Sequence, residues 1–473
     1  MGRRNRRKNV EGIVLSGIAD KGRAVGRDEK GQVYFLEGAV PGDKVDAVIL
    51  RKKKGVPFGV VKEIITPSPD RITAFCQHFD LCGGCKWQNL SYEKQLFHKE
   101  LQVKNAIQRI AKLDADSWDE VLACDKTKHY RNKLEYSFSS ARWMTEEEIE
   151  SGEEIADKKG LGFNKSGTFD KVIDLNECFL QPSPSNKIRN WLREYTKGED
   201  FEYYNSRSKK GWLRNIMLRN NREGEFMILL SIAYKNEDQL FPLLDAMIAE
   251  FPAISGIYYV VSNKVNSTTI DLPYIHYYGK EVLDEKLGQV KFKIGPKSFF
   301  QTNTLQAEKL YDVVKEYAEF DGTENVYDLY TGLGSIALYV ADSVKSITGI
   351  EEIKEAIFYA EENKELNNIE NARFYAGDCK DILTDAFIEE HGKADIIITD
   401  PPRVGMHKEV VETILRAEPK KIVYVSCNPA TQARDINLLS EKYFVKKIRA
   451  VDMFPHTHHV ETVALLYHSS YQG

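Results

Sequence analysis

The chain has 473 residues, enough for two to four domains with a large core, and 66 Lys and Arg against 71 Asp and Glu leave a formal net charge of −5. That balance excludes a globally basic nucleic-acid binder and leaves room only for local basic patches. No apolar run reaches the length of a membrane span and no apolar core follows the basic N-terminus, so a cytoplasmic protein with no membrane partner is expected.

Arg3, Arg4, Arg6, Arg7 and Lys8 open the chain as a basic tail of the kind that neutralises phosphates beside a nucleic-acid site. Short β-like runs at 12–15, 33–36, 44–50 and 59–64, separated by Gly, Pro and Asp turns, predict a small β-barrel. Arg51-Lys52-Lys53-Lys54 falls between two of these runs, where a loop would present it to an RNA backbone. Pro67-Ser68-Pro69 punctuates the end of that unit.

Cys76, Cys82 and Cys85 come next, the last two flanking Gly83-Gly84. Three thiolates so close, on a backbone that glycines let wrap, suit zinc or an iron–sulfur cluster. With seven cysteines in all, Cys124 and Cys178 are candidates for a fourth ligand, and spacing does not choose between them. Residues 91–113 predict an amphipathic helix with Leu96, Val103, Ile107 and Ile110 on its apolar face. From His129 to Asp271 the pattern is mostly strands, at 133–139, 171–175, 215–218, 225–233 and 257–261, with an acidic solvated loop at 146–157. His129-Tyr130-Arg131-Asn132-Lys133 mixes basic, aromatic and amide groups in the manner of RNA contact.

From Asn325 strands alternate strictly with helices: strands at 325–329, 344–350, 372–376, 394–399 and 421–426, the clearest helix at 353–366. Alternation of this kind predicts a doubly wound parallel sheet with both faces covered. Ligands bind such sheets beyond the carboxyl ends of the strands. There the sequence places Asp328-Leu329-Tyr330-Thr331-Gly332-Leu333-Gly334, then Glu351, Asp378, and Asp400-Pro401-Pro402-Arg403. Successive polar groups at one edge predict a bound nucleoside, and the incomplete Gly-x-Gly-x-x-Gly favours adenosyl-methionine over a nicotinamide. Cys427 ends the fifth strand before Asn428-Pro429 and a helix starting near Ala430, a setting in which a thiol becomes a nucleophile.

Four motifs carry a resemblance: Ser426-Cys427-Asn428-Pro429-Ala430-Thr431, Asp400-Pro401-Pro402-Arg403, Phe299-Phe300-Gln301-Thr302-Asn303, and Pro455-His456-Thr457-x-His459-Val460-Glu461. Together they resemble the RNA uracil-C5 methyltransferase family over nearly the whole chain. The barrel resembles a TRAM domain and the cysteines a 4Fe-4S site, a combination typical of the family's 23S ribosomal RNA subgroup. The resemblance implies a multidomain α/β architecture: an OB-like TRAM barrel at 1–68, a β-rich iron–sulfur domain at 69–285 and a Rossmann-like methyltransferase domain at 286–473. It selects Cys178, in Asn176-Glu177-Cys178-Phe179, to join Cys76, Cys82 and Cys85 as cluster ligands. It also implies Cys427 as nucleophile, Glu461 as base, Gln301, Tyr330, Glu351 and Asp400 around S-adenosyl-L-methionine and the target base, and Asp378 near the adenine. Thr331 and Ser335 stand where a common form of the turn has Cys and Asn.

The residue types fit that chemistry. Thiolate addition at C6 makes C5 of uracil nucleophilic, and a carboxylate must then remove the C5 proton. Asp400 suits the ring's imide edge, Arg403 a phosphate, and His456, His458 and His459 read as positioning and loop residues. The target is expected to be a single-stranded or flipped uridine, and the enzyme a monomer. The same chemistry on transfer RNA is the nearest alternative. An N-methyltransferase would follow Asp-Pro-Pro with an aromatic residue where Arg403 stands, and a non-catalytic RNA-binding or assembly factor would not need both Cys427 and Glu461.

Overall fold

Apolar residues at every second position make residues 8–66 close on themselves. The computed structural model describes residues 8–155 and 157–471, so the basic tail at Arg3 to Arg7 lies outside the described residues. Five strands form a closed barrel in the order Lys8–Ala19, Arg23–Arg27, Val33–Glu37, Val56–Thr66, Lys44–Lys53. Ile13, Leu15, Ala24, Leu36, Val45 and Ala47 fill it. The strand Arg23–Arg27, flanked by arginines, escapes a hydrophobicity reading. Its Gly26 permits the close approach, since a Cβ there would lie 2.1 Å from the Val14 carbonyl oxygen. The expected basic loop is instead a hairpin. Arg51, Lys52 and Lys53 prolong a strand, the chain turns at Lys54 and Gly55 with positive φ, and all of these residues are exposed.

A seven-stranded sheet follows, ordered Ile275–Gly279, Ile254–Val261, Phe226–Ile232, Leu213–Asn220, Lys133–Ser139, Gly160–Asn164, Val172–Asp174. Two helices absent from the strand-rich reading, Ser185–Gly198 and Glu237–Glu250, pack Ile188, Leu192, Leu240, Leu244 and Met247 into the same core. The acidic segment is only partly a loop. Thr145 and Glu148 form a capping box on the short helix Glu146–Glu150, and Arg142 pairs with Glu148 at 2.6 Å.

The third sheet has eight strands: Ala372–Ala376, Ser346–Glu351, Asn325–Leu329, Ile396–Thr399, Lys421–Ser426, Glu461–His468, Tyr443–Val451 and Ser117–Leu122. The first five are parallel, and Glu461–His468 runs antiparallel to Lys421–Ser426. Its last strand comes from far upstream, and the helix Tyr92–Ala106 lays Val103 and Ala106 among Ile436 and Leu439 of the same core. Thus part of the expected 69–285 unit is built onto the C-terminal sheet. The expected cut after residue 285 also falls inside the strand Leu283–Leu287, whose Leu287 is buried in a second core of that sheet, with Val326, Ile347 and Val423. Among the described residues no helix is long and apolar enough to cross a membrane.

Candidate active site

The parallel register delivers one polar side chain after another to the same edge. Asn325–Leu329 runs into Tyr330, held at φ 65°, and then into Gly332 and Gly334, at φ 59° and 79°. Glu351, at the end of its strand, accepts from the Gly332 amide at 3.1 Å and the Ile353 amide at 3.0 Å. Asp378 accepts from the Lys380 amide at 3.1 Å and meets its ammonium at 2.7 Å, which holds this carboxyl below the usual range. Gln301, Tyr330, Glu351, Asp378 and Asp400 all line one cavity of about 960 Å³, which Cys427 and Glu461 line as well. Thr331 lines it too but is bonded to Asp328 at 2.5 Å, and the Ser335 hydroxyl accepts from Tyr311 at 3.2 Å.

Cys427 and Glu461 are neighbours by register. The antiparallel ladder between their strands ends at Ser426 opposite Thr462, so the next step outward sets Cys427 beside Glu461. Asn428 caps the following helix, accepting from the Ala430 amide at 3.2 Å, with Pro429 in its first turn. The Asn428 amide nitrogen donates to the Arg403 carbonyl at 2.9 Å, joining the turn after Cys427 to Asp400-Pro401-Pro402-Arg403.

This end of the cavity is crowded with acids. Asp328 and Asp400 are each pushed up to about 7 by burial, then by a neighbouring carboxylate: Glu351 for Asp328, Asp328 for Asp400. Burial and the charge of Asp400 raise Glu461 well above the carboxylate range, with Arg403 opposing. Burial, Glu461 and Asp400 push the Cys427 thiol up to about 12. Carboxylates so placed favour a cationic ligand and supply a base that titrates far above an ordinary glutamate.

A second cavity, of about 920 Å³, shares Cys427, Arg131, Arg403 and His459 with the first. Its walls bring Lys21 and Arg23 from the barrel, Lys86 from the cysteine segment and Lys165 from the central sheet. Of the five residues read as an RNA-contact stretch, Arg131 faces these cavities, whereas Tyr130 and Asn132 are buried. Asn132 has a different task. Its amide nitrogen donates to the Gln301 carbonyl and the Thr304 hydroxyl, both at 2.9 Å. Arg219, which no motif marks, donates to the carbonyls of Gly295 at 2.9 Å and Ser298 at 2.8 Å. The central sheet thereby fixes the segment that carries Gln301.

Cys76, Cys82, Cys85 and Cys178 line a single small cavity of about 30 Å³. Cys124 is elsewhere, its thiol donating to the Lys126 carbonyl at 3.1 Å with the Asn303 amide 3.5 Å away. Among the described residues no three His, Cys, Asp or Glu side chains stand ready to hold a metal ion. Burial pushes Cys82 up to about 11 and Cys85 to about 12.

The family described as tRNA (Uracil-5-)-methyltransferase matches residues 271–469. Of curated proteins, one called an uncharacterized RNA methyltransferase, from Bacteroides thetaiotaomicron, is 46% identical over 95% of this chain and 99% of its own length. A counterpart from Porphyromonas gingivalis is 45% identical over 96% and 99%. Among solved structures, the Pyrococcus abyssi tRNA (uracil-54, C5)-methyltransferase in complex with S-adenosyl-L-homocysteine superposes with a TM-score of 0.74. It is 28% identical and covers 96% of this chain and 98% of that one.

Proposed function

The chain belongs to the RNA uracil-5-methyltransferase family, and from that premise we propose that it transfers a methyl group from S-adenosyl-L-methionine to C5 of one specific uridine of 23S ribosomal RNA through a covalent adduct. The observation that carries this reading is the pairing of Cys427 with Glu461 where an acid-lined cavity opens into a basic cleft. The acid-lined cavity suits the sulfonium cofactor, with Gln301, Tyr330, Glu351 and Asp400 around it and Asp378 toward the adenine. The basic cleft suits an RNA strand whose target uridine is turned inward.

The Cys427 thiolate adds to C6, and the C5=C6 electron pair moves onto O4 as an enolate. C5 then takes the methyl group, and the sulfonium becomes a neutral thioether. Glu461 removes the C5 proton, the C5=C6 bond re-forms, and the thiolate leaves. A carboxylate raised far above its usual range holds that proton near neutral pH more readily than an ordinary one.

Cys76, Cys82, Cys85 and Cys178 are proposed to hold a 4Fe-4S cluster: all four line one cavity, although no three of them are spaced for a single metal ion. When bound, such a cluster crosslinks two segments nearly a hundred residues apart. The barrel, read as a TRAM domain, adds phosphate contacts through Lys21, Arg23 and the exposed hairpin Arg51 to Lys54. The same chemistry on transfer RNA is the second reading, favoured by the full-length likeness to the Pyrococcus abyssi enzyme.

The covalent route is tested with Glu461→Gln, labelled RNA and labelled methyl donor. This variant is expected to accumulate a protein–RNA species carrying both labels, and wild type the same species on 5-fluorouridine RNA, because fluorine cannot leave as a cation. Absence of any adduct from wild type on 5-fluorouridine RNA would remove the mechanism. Mapping 5-methyluridine in ribosomal and transfer RNA from cells lacking the protein decides between the two RNA classes.

A further inference from the structure

Arg403 stands where the two cavities meet, and its Nη2 lies 2.7 Å from Nδ1 of His459. A guanidinium can only donate, so His459 Nδ1 accepts and the ring carries its proton on Nε2. The backbone of Arg403 is anchored beside Cys427. Its carbonyl receives the Asn428 amide at 2.9 Å and the Thr431 hydroxyl at 3.2 Å, both from the turn and helix that follow Cys427. His459 is held as firmly: its amide donates to the Thr457 hydroxyl at 3.2 Å, and the His458 ring lies 4.1 Å away, centroid to centroid. The ring therefore offers a fixed N–H donor two residues before Glu461, on the wall shared by both cavities.

The chemistry at that end needs a donor. Asp400 and Glu461 donate only while protonated and accept once ionised, whereas a neutral imidazole N–H donates throughout. Addition of Cys427 to C6 places a negative charge on the pyrimidine's O4, and a preorganised donor aimed at developing charge is a large catalytic term.

We propose that His459 donates a hydrogen bond from Nε2 to O4 of the target uracil and stabilises the enolate formed on thiolate addition, with Arg403 as the positioning residue that sets its tautomer. The inference rests on the uracil-C5 reading. In the step, the sulfur–C6 bond forms, the C5=C6 π pair shifts toward O4, and the His459 proton stays on nitrogen. Burial, His458 and Arg403 hold His459 down to about 3, so the ring stays neutral at physiological pH.

The test is single-turnover methyl transfer to an RNA oligonucleotide carrying the uridine that mapping identifies, prepared with uridine, 2-thiouridine or 4-thiouridine at that position. His459→Ala is expected to slow transfer on the order of a hundredfold, while affinity for S-adenosyl-L-homocysteine and for the RNA stays within about twofold of wild type. Sulfur is a poor acceptor, so 4-thiouridine should slow wild type and leave His459→Ala no slower than it already is. 2-Thiouridine should affect both proteins alike. His459→Gln, which restores an amide N–H near the Nε2 position, should regain part of the rate. Equal sensitivity of wild type and His459→Ala to 4-thiouridine overturns the proposal, as does transfer by His459→Ala at the wild-type rate. A wild type that forms no methylated adduct on 5-fluorouridine RNA instead defeats the uracil-C5 reading, and the His459 role falls with it.

Discussion

The proposed reaction needs Cys427 as a thiolate, yet burial beside Glu461 and Asp400 favours its thiol, and the cofactor's charge is the nearest remedy. With its thiol pushed up to about 12 by burial, Glu461 and Asp400, only about one molecule in ten thousand carries a thiolate at pH 8, against about a quarter for an ordinary cysteine. In the proposed complex S-adenosyl-L-methionine brings a positive sulfonium into the cavity that Cys427 lines. One unit charge at roughly 6 Å and an effective dielectric near 20 is worth about 3 kcal/mol, or about two pH units. The thiolate fraction at pH 8 should then rise on the order of a hundredfold. S-adenosyl-L-homocysteine has nearly the same shape and no charge, so steric effects cancel between the two ligands. The assay is carbamidomethylation of Cys427 by iodoacetamide, followed by peptide mass spectrometry between pH 7 and 10. The second cavity leaves the reagent a path to the sulfur when the cofactor is bound. The methionine form should be modified on the order of a hundredfold faster than the homocysteine form at each pH. Equal rates in the two complexes, or a free thiol titrating near 8.5, would refute the electrostatic account.

Two further outcomes are expected from residues away from the reaction. Cys178→Ser should lose iron and visible absorbance on purification, while Cys124→Ser should keep both, because only Cys178 shares a cavity with Cys76, Cys82 and Cys85; iron retained by the first variant would refute the ligand choice. Lys99 and Asp452 form an ion pair at 2.5 Å with both side chains fully buried, so Asp452→Asn strands a buried ammonium and should cost about 3–5 kcal/mol in denaturant unfolding. Adding Lys99→Met to that variant should restore much of the loss, and a single-variant cost under about 1 kcal/mol would contradict the pairing argument.

The doubly wound sheet was legible because its signal is periodic and local. Strands 325–329, 372–376 and 421–426 coincide with the reading from apolar runs, and the strand-end acids fell on one edge because parallel topology leaves them no other place. The misses share a cause, which is that long-range pairing leaves no local trace. Ser117–Leu122 becomes a strand of the C-terminal sheet only because Tyr443–Val451 offers an edge. Asn132 read as part of an RNA-contact stretch, and Arg219 drew no reading, because polar residues are usually exposed. Each is buried, and its partners, three carbonyls and the Thr304 hydroxyl in all, lie more than seventy residues ahead. Arg51 to Lys53 looked like a loop because lysines are scarce in strands, but a barrel edge carried past the core tolerates them.

The loop that leads into Glu461 explains why parts far from the chemistry matter to it. Residues 452–460 contribute little of their own regular structure, yet they set the positions of His459 and Glu461. Three separate parts of the chain hold them. From the helix Tyr92–Ala106, Lys99 reaches Asp452 and the Phe454 carbonyl, the latter at 3.0 Å, while the Gln95 side-chain oxygen accepts from the His456 amide at 2.8 Å. From the cysteine segment, the amides of Lys86 and Trp87 both donate to the His456 carbonyl, at 2.8 and 3.0 Å. From the central domain, the Tyr130 hydroxyl donates to the Pro455 carbonyl at 3.1 Å. Acids as crowded as Asp328, Asp400 and Glu461 repel one another when ionised, and a loosely held loop would let Glu461 drift away from Cys427. The cysteine segment thus bears on the proposed reaction without lying in it, by pinning the backbone five residues before Glu461.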